Sequence, residues 1–348
     1  MARFHNVLPA VVSRLFSFFT HLLWFRAKPE QPASWEDDMK RITFAVAAGI
    51  AAFACQAQAQ GTQDFSKVEI KTTDLGGNTY ELEGSGGNMT VAIGTDGVIM
   101  VDGEFAPLHD KIKAAIDKLS GGKPIKYLVN THFHGDHSGG DAPFAKDGTI
   151  IVAHENVAKR LAHGSSNGLT GAKTAPAAEK EAVPTLTYIT TGPVLKVGGR
   201  SAQVGHPLNA HTDGDSYVYF ADANVINTGD IVSRGERYPT IDYANGGSIN
   251  GIIAQVEKYL QMGNEETKYV PGHGPLTSHD ELETYRDMLI SVREAVNGQI
   301  KAGKNEDEAV AAKPLAAIGA TLHAPQMLDD NMVRMVYRSL KGVPANPA

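Results

Sequence analysis

In the run Thr131-His132-Phe133-His134-Gly135-Asp136-His137, four side chains that can bind a cation through nitrogen or oxygen are crowded together. The run follows Ile125 to Val129, an apolar stretch that reads as a strand. In extended backbone, residues two apart point the same way, so His132 and His134 can converge on one ion. Gly135 and the Gly139-Gly140 pair allow the chain to turn and bring Asp136 and His137 toward a neighbouring position. Three later segments each set a ligand-capable side chain beside glycine after an expected strand: Ala210-His211-Thr212-Asp213-Gly214, Thr228-Gly229-Asp230 and Gly272-His273-Gly274. Taken singly, these are ordinary turn or surface residues. Taken in order, they supply the donors of a metal centre built from imidazole and carboxylate.

The residue counts narrow the chemistry further. The chain has 348 residues and one cysteine, Cys55, so a site in the body of the chain must use histidine and carboxylate rather than thiolate. Its formal charge is −7, with no block of Lys and Arg, which lacks the clustered cations that neutralise a phosphate backbone. DNA and RNA are therefore not expected partners, and a small molecule is. With 42% hydrophobic and 20% charged residues, the chain can bury a sizeable core and does not read as disordered.

The HxHxDH run (His132 to His137), the HTxG histidine (His211), the strand-end Gly-Asp (Asp230) and the late GHG histidine (His273) together resemble the metallo-β-lactamase superfamily, over about Val68 to Pro275. The resemblance implies an α/β fold of the αββα sandwich type, with a two-metal site at one edge. It implies that His132, His134 and His211 hold the first metal, that Asp136, His137 and His273 hold the second, and that Asp230 bridges both. Two Zn²⁺ are the cofactors it implies. Mn, Fe or Co also suit the donor types. Two such ions share a water and lower its pKa toward ~7, giving a hydroxide that attacks a carbonyl, with Asp136 placed as the catalytic residue that orients it. The expected function is an exported binuclear zinc hydrolase opening a cyclic amide or ester, β-lactamase-like or lactonase-like. A glyoxalase II-like thioesterase and a non-catalytic metal-binding module remain the alternatives.

The sequence departs from the large β-lactamase subclass that has a zinc-binding cysteine, because Asp230 stands at that position and His137 completes the motif. That subclass places a substrate-gripping lysine three residues further on, where this chain has Ser233 followed by Arg234. Ser233, Arg234 and Tyr238, with Arg237 and Tyr243 in the same stretch, are the expected substrate-binding residues, Arg234 as a grip on a carboxylate. His154, His163 and His206 lie near the motifs and read as structural or supporting residues rather than ligands.

Elements that alternate between strand and helix must position these groups. Strands are expected at Val68–Lys71, Thr79–Leu82, Met89–Ile93 and Val98–Val101, separated by glycine turns and forming an antiparallel meander. A helix over Leu108–Leu119 leads into the strand before the histidine run. Further strands fit 149–152, 186–190, 194–197, 201–204, 217–220, 225–227 and 269–270. Between them, His163 to Pro184 shows no clear period and reads as a mobile excursion or lid. Ile249, Ile252, Ile253, Val256 and Leu260 follow a helical period with Ser248 as cap. Ser278 and Glu281 form a capping box for a third helix, which carries Leu282, Tyr285 and Leu289 on one face. Residues 60–300 are thus the expected catalytic domain and 301–348 a helical C-terminal extension. The stripe Leu328, Met332, Val336, Leu340 in that extension packs on the sandwich or forms an oligomer interface.

The N-terminus reads differently. From Met39, Lys40 and Arg41 precede an apolar run from Ile42 to Ala54 and then Ala57-Gln58-Ala59, the pattern of a secretory signal cleaved after Ala59. The run is shorter than the ~20 residues that span a bilayer, so no stable membrane span is expected. These features predict export to the periplasm, translation starting at Met39 and Cys55 as an ordinary signal residue rather than a lipid anchor.

Overall fold

The computed structural model describes residues 64–166, 173–175, 177–234 and 238–342. The signal-like segment with Met39 and Cys55, and the boundary expected near residue 60, lie outside the described residues. The expected meander is present: β1 (Lys71–Gly76), β2 (Thr79–Glu83), β3 (Met89–Ile93) and β4 (Val98–Val101) pair antiparallel in order. β1 starts at Lys71 rather than Val68, because Phe65–Lys67 forms a tight 3-10 turn and Lys111 Nζ takes the carbonyls of Phe65, Ser66 and Val68 at 3.0, 2.7 and 2.7 Å. Carbonyls bound in this way need no sheet partner.

Helix α1 (His109–Ser120) returns the chain to β5 (Ile125–Val129), parallel to β4. Two short helices, α2 (Gly135–Ser138) and α3 (Asp141–Lys146), precede β6 (Ile150–His154), and α4 (Glu155–His163) follows it. Inside the expected excursion, β7 (Ser165–Ser166) pairs with β8 (Lys173–Ala175). β9 (Leu186–Tyr188) adds parallel to β6 and completes a seven-stranded sheet in the order β1-β2-β3-β4-β5-β6-β9.

The second sheet is five-stranded: β10 (Val194–Val197), β11 (Arg200–Gly205), β12 (Tyr217–Phe220) and β13 (Val225–Ser233) run antiparallel, and β14 (Lys268–His273) lies parallel to β13. The crossover is α5 (Ile249–Met262), whose first turn Ser248 caps by accepting from Gly251 N. The expected capping box is present at α6 (His279–Lys301). Helices α7 (Glu306–Ala311), α8 (Ala316–Thr321) and α9 (Gln326–Lys341) form the C-terminal extension.

Apolar packing fixes the layer order. Ala92, Ile99, Val101 and Val129 of the first sheet interdigitate with Leu195, Val204, Val218 and Phe220 of the second. The outer face of the first sheet packs on Ile112 and Ile116 of α1 and Phe144 of α3. The outer face of the second packs on α5, α6 and the extension, where Met332 and Val336 are fully buried and Leu328 and Leu340 lie against the same cluster. The fold is the αββα sandwich that the resemblance implies, and the extension's stripe is consumed within the chain.

One buried acid sits on the first sheet. Glu81 in β2 is 3% exposed and its Oε1 has no hydrogen-bond partner. Burial, reinforced by the Glu83 carboxylate, pushes its pKa up to about 7. The native state therefore holds this proton where the unfolded chain releases it. The resulting stability is complete below the unfolded value near 4.5 and is lost as pH rises through about 7. Glu81→Gln removes that dependence, so across this window it is expected to gain about 3 kcal/mol over the wild type. Urea unfolding at pH 4.5 and pH 8 checks this, and parallel pH profiles for the two proteins would refute it.

Candidate metal centre

The expected ligands come together where the C-terminal ends of β5, β13 and β14 meet. His132 lies in a bend that follows β5 where the sequence suggested extended backbone, His134 is extended at φ −66° and ψ 146°, and Asp136 and His137 lie in the single turn of α2, which His134 precedes. His211 comes from the loop between β11 and β12, and His273 is the last residue of β14. Asp230 lies inside β13, which runs to Ser233 and not to Asn227 as the sequence suggests. Gly229, at φ 52°, breaks the register there, so the strand resumes with Asp230 turned toward the histidines.

Seven donors form two adjoining groups: His132, His134, His211 and Asp230, and then Asp136, His137 and His273. In the first, His134 Nδ1 is 3.1 Å from His211 Nε2, and Asp230 Oδ2 is 3.9 Å from His132 Nε2 and 3.8 Å from His211 Nε2. In the second, His137 Nε2 is 3.4 Å from His273 Nε2, and Asp136 Oδ2 is 3.2 Å from His273 Nε2. Asp230 Oδ1 completes that group, at 3.2 Å from His137 Nε2 and 3.5 Å from His273 Nε2. One carboxylate thus presents one oxygen to each group.

These spacings suit metal binding. Four donors placed tetrahedrally at ~2.1 Å from zinc lie roughly 3.4 Å from one another, inside the range of distances seen here. His132 Nε2 and Asp230 Oδ1 are buried without a hydrogen bond, an expensive arrangement unless a cation takes their lone pairs.

The hydrogen-bond network assigns the tautomers. His211 Nδ1–H donates to Thr240 O at 2.8 Å, leaving Nε2 bare. His134 uses the opposite nitrogen, since Nε2–H donates to Asp242 Oδ2 at 3.0 Å and leaves Nδ1 facing the group. The Thr131 hydroxyl gives its one proton to Asp102 Oδ2, so at 3.0 Å it accepts from His132 Nδ1–H and leaves that Nε2 bare. His137 Nδ1–H donates to Asp102 Oδ2 at 2.8 Å.

Charge follows the same layout. Burial would lower the His137 pKa, but Asp230 and Asp102 outweigh it and hold the imidazolium well above its ordinary range. Burial, reinforced by the neighbouring rings, takes His132 well below. For Asp230, burial raises the pKa, but the neighbouring His137 charge, with His132 and His211 behind it, outweighs it and holds the carboxyl well below its usual range. Asp136 is also raised by burial and lowered by more, chiefly by His273, and is held down at about 2.

Sequence reasoning missed Asp102, Glu104, Asp242 and Asn88. Asp102 and Glu104 are buried at φ 60° and 51°, conformations that a non-glycine residue adopts only under strong constraint. Glu104 Oε2 accepts from the amides of Ser85 and Gly86, holding the loop that lies against the site. In that loop a Cβ at Gly87 would lie 2.1 Å from His137 Cε1, so only glycine lets the loop seal that ring. Asn88 Nδ2 donates to Pro271 O and Gly274 O and thereby fixes the His273 turn.

The substrate-binding expectations divide. Ser233 and Arg234 border a cavity, but Arg234 Nη2 is engaged with Glu281 Oε1 at 2.8 Å. Tyr238 is a correction: its ring is in the core, and its hydroxyl donates to Asp329 Oδ1 at 2.8 Å. Its predominantly apolar ring gains more from burial than from lining a wet cleft. The Tyr243 hydroxyl accepts from Arg338, and Arg237 lies outside the described residues. His154 caps α4 and stacks on His206 at 4.0 Å, while His163 ends α4, so none of the three joins the cluster.

A two-sheet sandwich carrying a His/Asp cluster at one edge defines a class of metal-dependent hydrolase. The chain belongs to the metallo-β-lactamase superfamily, whose family description matches residues 82–292. A metallo-β-lactamase from Pontibacter korlensis is similar in structure at TM-score 0.52 and 17% identity, over 64% of this chain and 99% of that one. The stereoselective inverting sec-alkylsulfatase Pisa1 from Pseudomonas sp. is similar at TM-score 0.58 and 18% identity, over 80% of this chain and 51% of that one. In sequence, the chain is 27% identical over 220 residues to the 2,4-dinitroanisole O-demethylase subunit alpha of a Nocardioides species. That match covers 63% of this chain and 62% of the relative.

Proposed function

We propose that the chain is an exported hydrolase that holds two divalent ions, zinc foremost, and opens a cyclic amide or ester of the β-lactam or lactone type. The observation that carries this reading is Asp230, whose two oxygens face different groups of donors. When bound, such ions supply Lewis acidity and a water acidic enough to act as a nucleophile near neutral pH.

The chain's own residues do the rest. Thr131, Asp242 and Thr240 hold the His132, His134 and His211 rings in single tautomers, so their bare nitrogens are ready without reorganisation, and Asp102 fixes the orientation of the His137 ring. Asp136, ionised at every ordinary pH and a third exposed, serves as an acceptor that orients a water O–H rather than as a strong base. His137 must give up a proton for its Nε2 to act as a donor, so ion uptake should release protons and weaken as the medium becomes acidic. Export rests on the signal-like segment from Met39 to Ala59. Among the described residues no helix is long and apolar enough to cross a membrane.

The test uses the full chain, purified and measured for metal content. It is assayed against nitrocefin, an acyl-homoserine lactone and a thioester, and against 2,4-dinitroanisole and a secondary alkyl sulfate, the chemistry named for the relatives. Two ions per chain and turnover of the lactam or lactone are expected, with activity falling at least about 100-fold in chelator and returning with zinc. Turnover of the thioester alone would replace the substrate reading. Metal binding without any turnover would favour a binding module.

A further inference from the structure

A cavity of ≈ 290 Å³ is bordered by Ser233 and Arg234, which follow Asp230, and by Pro275, which follows His273. Ser233 is the end of β13 and pairs with His273, and Arg234 N donates to His273 O at 2.8 Å. Pro275 lies just beyond His273 on the same wall. The opposite wall is one face of α6, carrying Tyr285 and Met288, with Leu322 of the extension beside it.

Three properties point to one kind of occupant. The ring of Tyr285, Met288, Pro275 and Leu322 make the walls largely apolar. The charged pair at the cavity, Arg234 with Glu281 at 2.8 Å, is internally neutralised, so the wall offers no free cation to an anionic group. The volume falls at the lower limit of the ~300–1,000 Å³ that encloses a whole drug-sized ligand, which suits one arm of a molecule. The cavity is also preformed, because the Tyr285 hydroxyl donates to Ile231 O at 3.1 Å and accepts from Ser233 N at 3.3 Å.

We propose that this cavity seats a neutral apolar arm of the substrate, an aryl or branched alkyl group, while the bond to be cleaved lies at the His/Asp cluster. The assignment rests on the hydrolase reading above and deepens it. The C-terminal extension, through Leu322, then takes part in substrate choice, and Arg234 shapes the wall through Glu281 instead of gripping a carboxylate.

The probe is N-phenyl-1-naphthylamine, a neutral aromatic dye, titrated by fluorescence into the zinc-loaded full chain. Met288→Trp and Leu322→Trp narrow the cavity from two different elements and are each expected to raise the dye Kd at least tenfold. Met327→Trp, the same change at a residue 68% exposed on the extension, should stay within twofold of wild type. Thermal melts identify any variant that fails to fold, and two cavity variants guard against losing one. With turnover established, the KM for benzylpenicillin should rise at least tenfold more than that for 6-aminopenicillanic acid in Met288→Trp, and the dye should compete with the former. An acyl-homoserine lactone pair with long and short chains replaces the penicillins if the enzyme prefers lactones. No dye binding by wild type, or equal binding by Met288→Trp and Met327→Trp, overturns the proposal. Dye binding that follows the cavity variants in a protein with no turnover leaves the apolar seat standing and defeats the hydrolase reading instead.

Discussion

Asp230→Asn is expected to leave the sandwich folded while lowering the metal bound per chain, and to lower kcat/KM by about 10³-fold or more. The magnitude follows from the several kcal/mol that ions contribute to a charged transition state, at 1.36 kcal/mol for each factor of ten. The asparagine side chain keeps the size but not the charge, and only one of its terminal atoms can accept. The two groups of donors that share Oδ1 and Oδ2 can then no longer both be completed by one residue. Metal analysis of the purified variant, with circular dichroism to verify the fold, decides the matter. Metal content equal to that of wild type and activity within tenfold of it would show that Asp230 does not join the two groups of donors.

Asp102→Ala has the second largest expected effect, and it falls on stability as well as on the site. This fully buried carboxylate accepts from Thr131 N at 2.7 Å, Thr131 Oγ1 at 2.8 Å and His137 Nδ1 at 2.8 Å. Removing it leaves a buried imidazole without its counter-charge and a buried amide without an acceptor, at a cost of about 3–5 kcal/mol. It also frees His137 and, through Thr131, His132 to rotate. Zinc affinity should therefore fall about 10–100-fold. Urea denaturation of the metal-free protein separates the first effect from the second, which a competitive chelator titration reads. A variant as stable as wild type, with unchanged zinc affinity, would show that the Asp102 contacts carry no weight.

The contrast between Asp230 and Asp102 shows how far the sequence could be read. Both are acids beside glycine that follow apolar residues, yet only Asp230 stood in an ordered set of motifs, and nothing in the sequence around Asp102 marked it. Asp242 was hidden in the same way, in Ile241-Asp242-Tyr243-Ala244-Asn245-Gly246, where turn-forming residues conceal a carboxylate that orients His134. Thr240 could not have been found from side-chain type at all, since it acts through its carbonyl. Among the elements, the two sheets and the long helices were legible because their apolar periods run for several turns or alternations. Helices α2, α3 and α8 were not, because helices of four to six residues are too short to establish a period. β13 was cut short because Thr228-Gly229-Asp230 carries the composition of a turn, and only packing against β14 reveals that the strand continues. Tyr238 was misplaced for a related reason. Its neighbours in sequence are polar, while its neighbours in space belong to the extension.

Arg338, near the end of α9, is held by Glu306 at 2.7 Å and gives a hydrogen bond to the Tyr243 hydroxyl at 2.6 Å. Tyr243 opens the tight turn directly after Asp242, which in turn steadies the His134 ring. The tail of the polypeptide thus acts as a clasp on a ligand two hundred positions upstream. A protease that nicked the chain ahead of Arg338 would loosen the imidazole at the far end of that relay, so a weaker hold on an added metal ion would accompany an apparently harmless trimming.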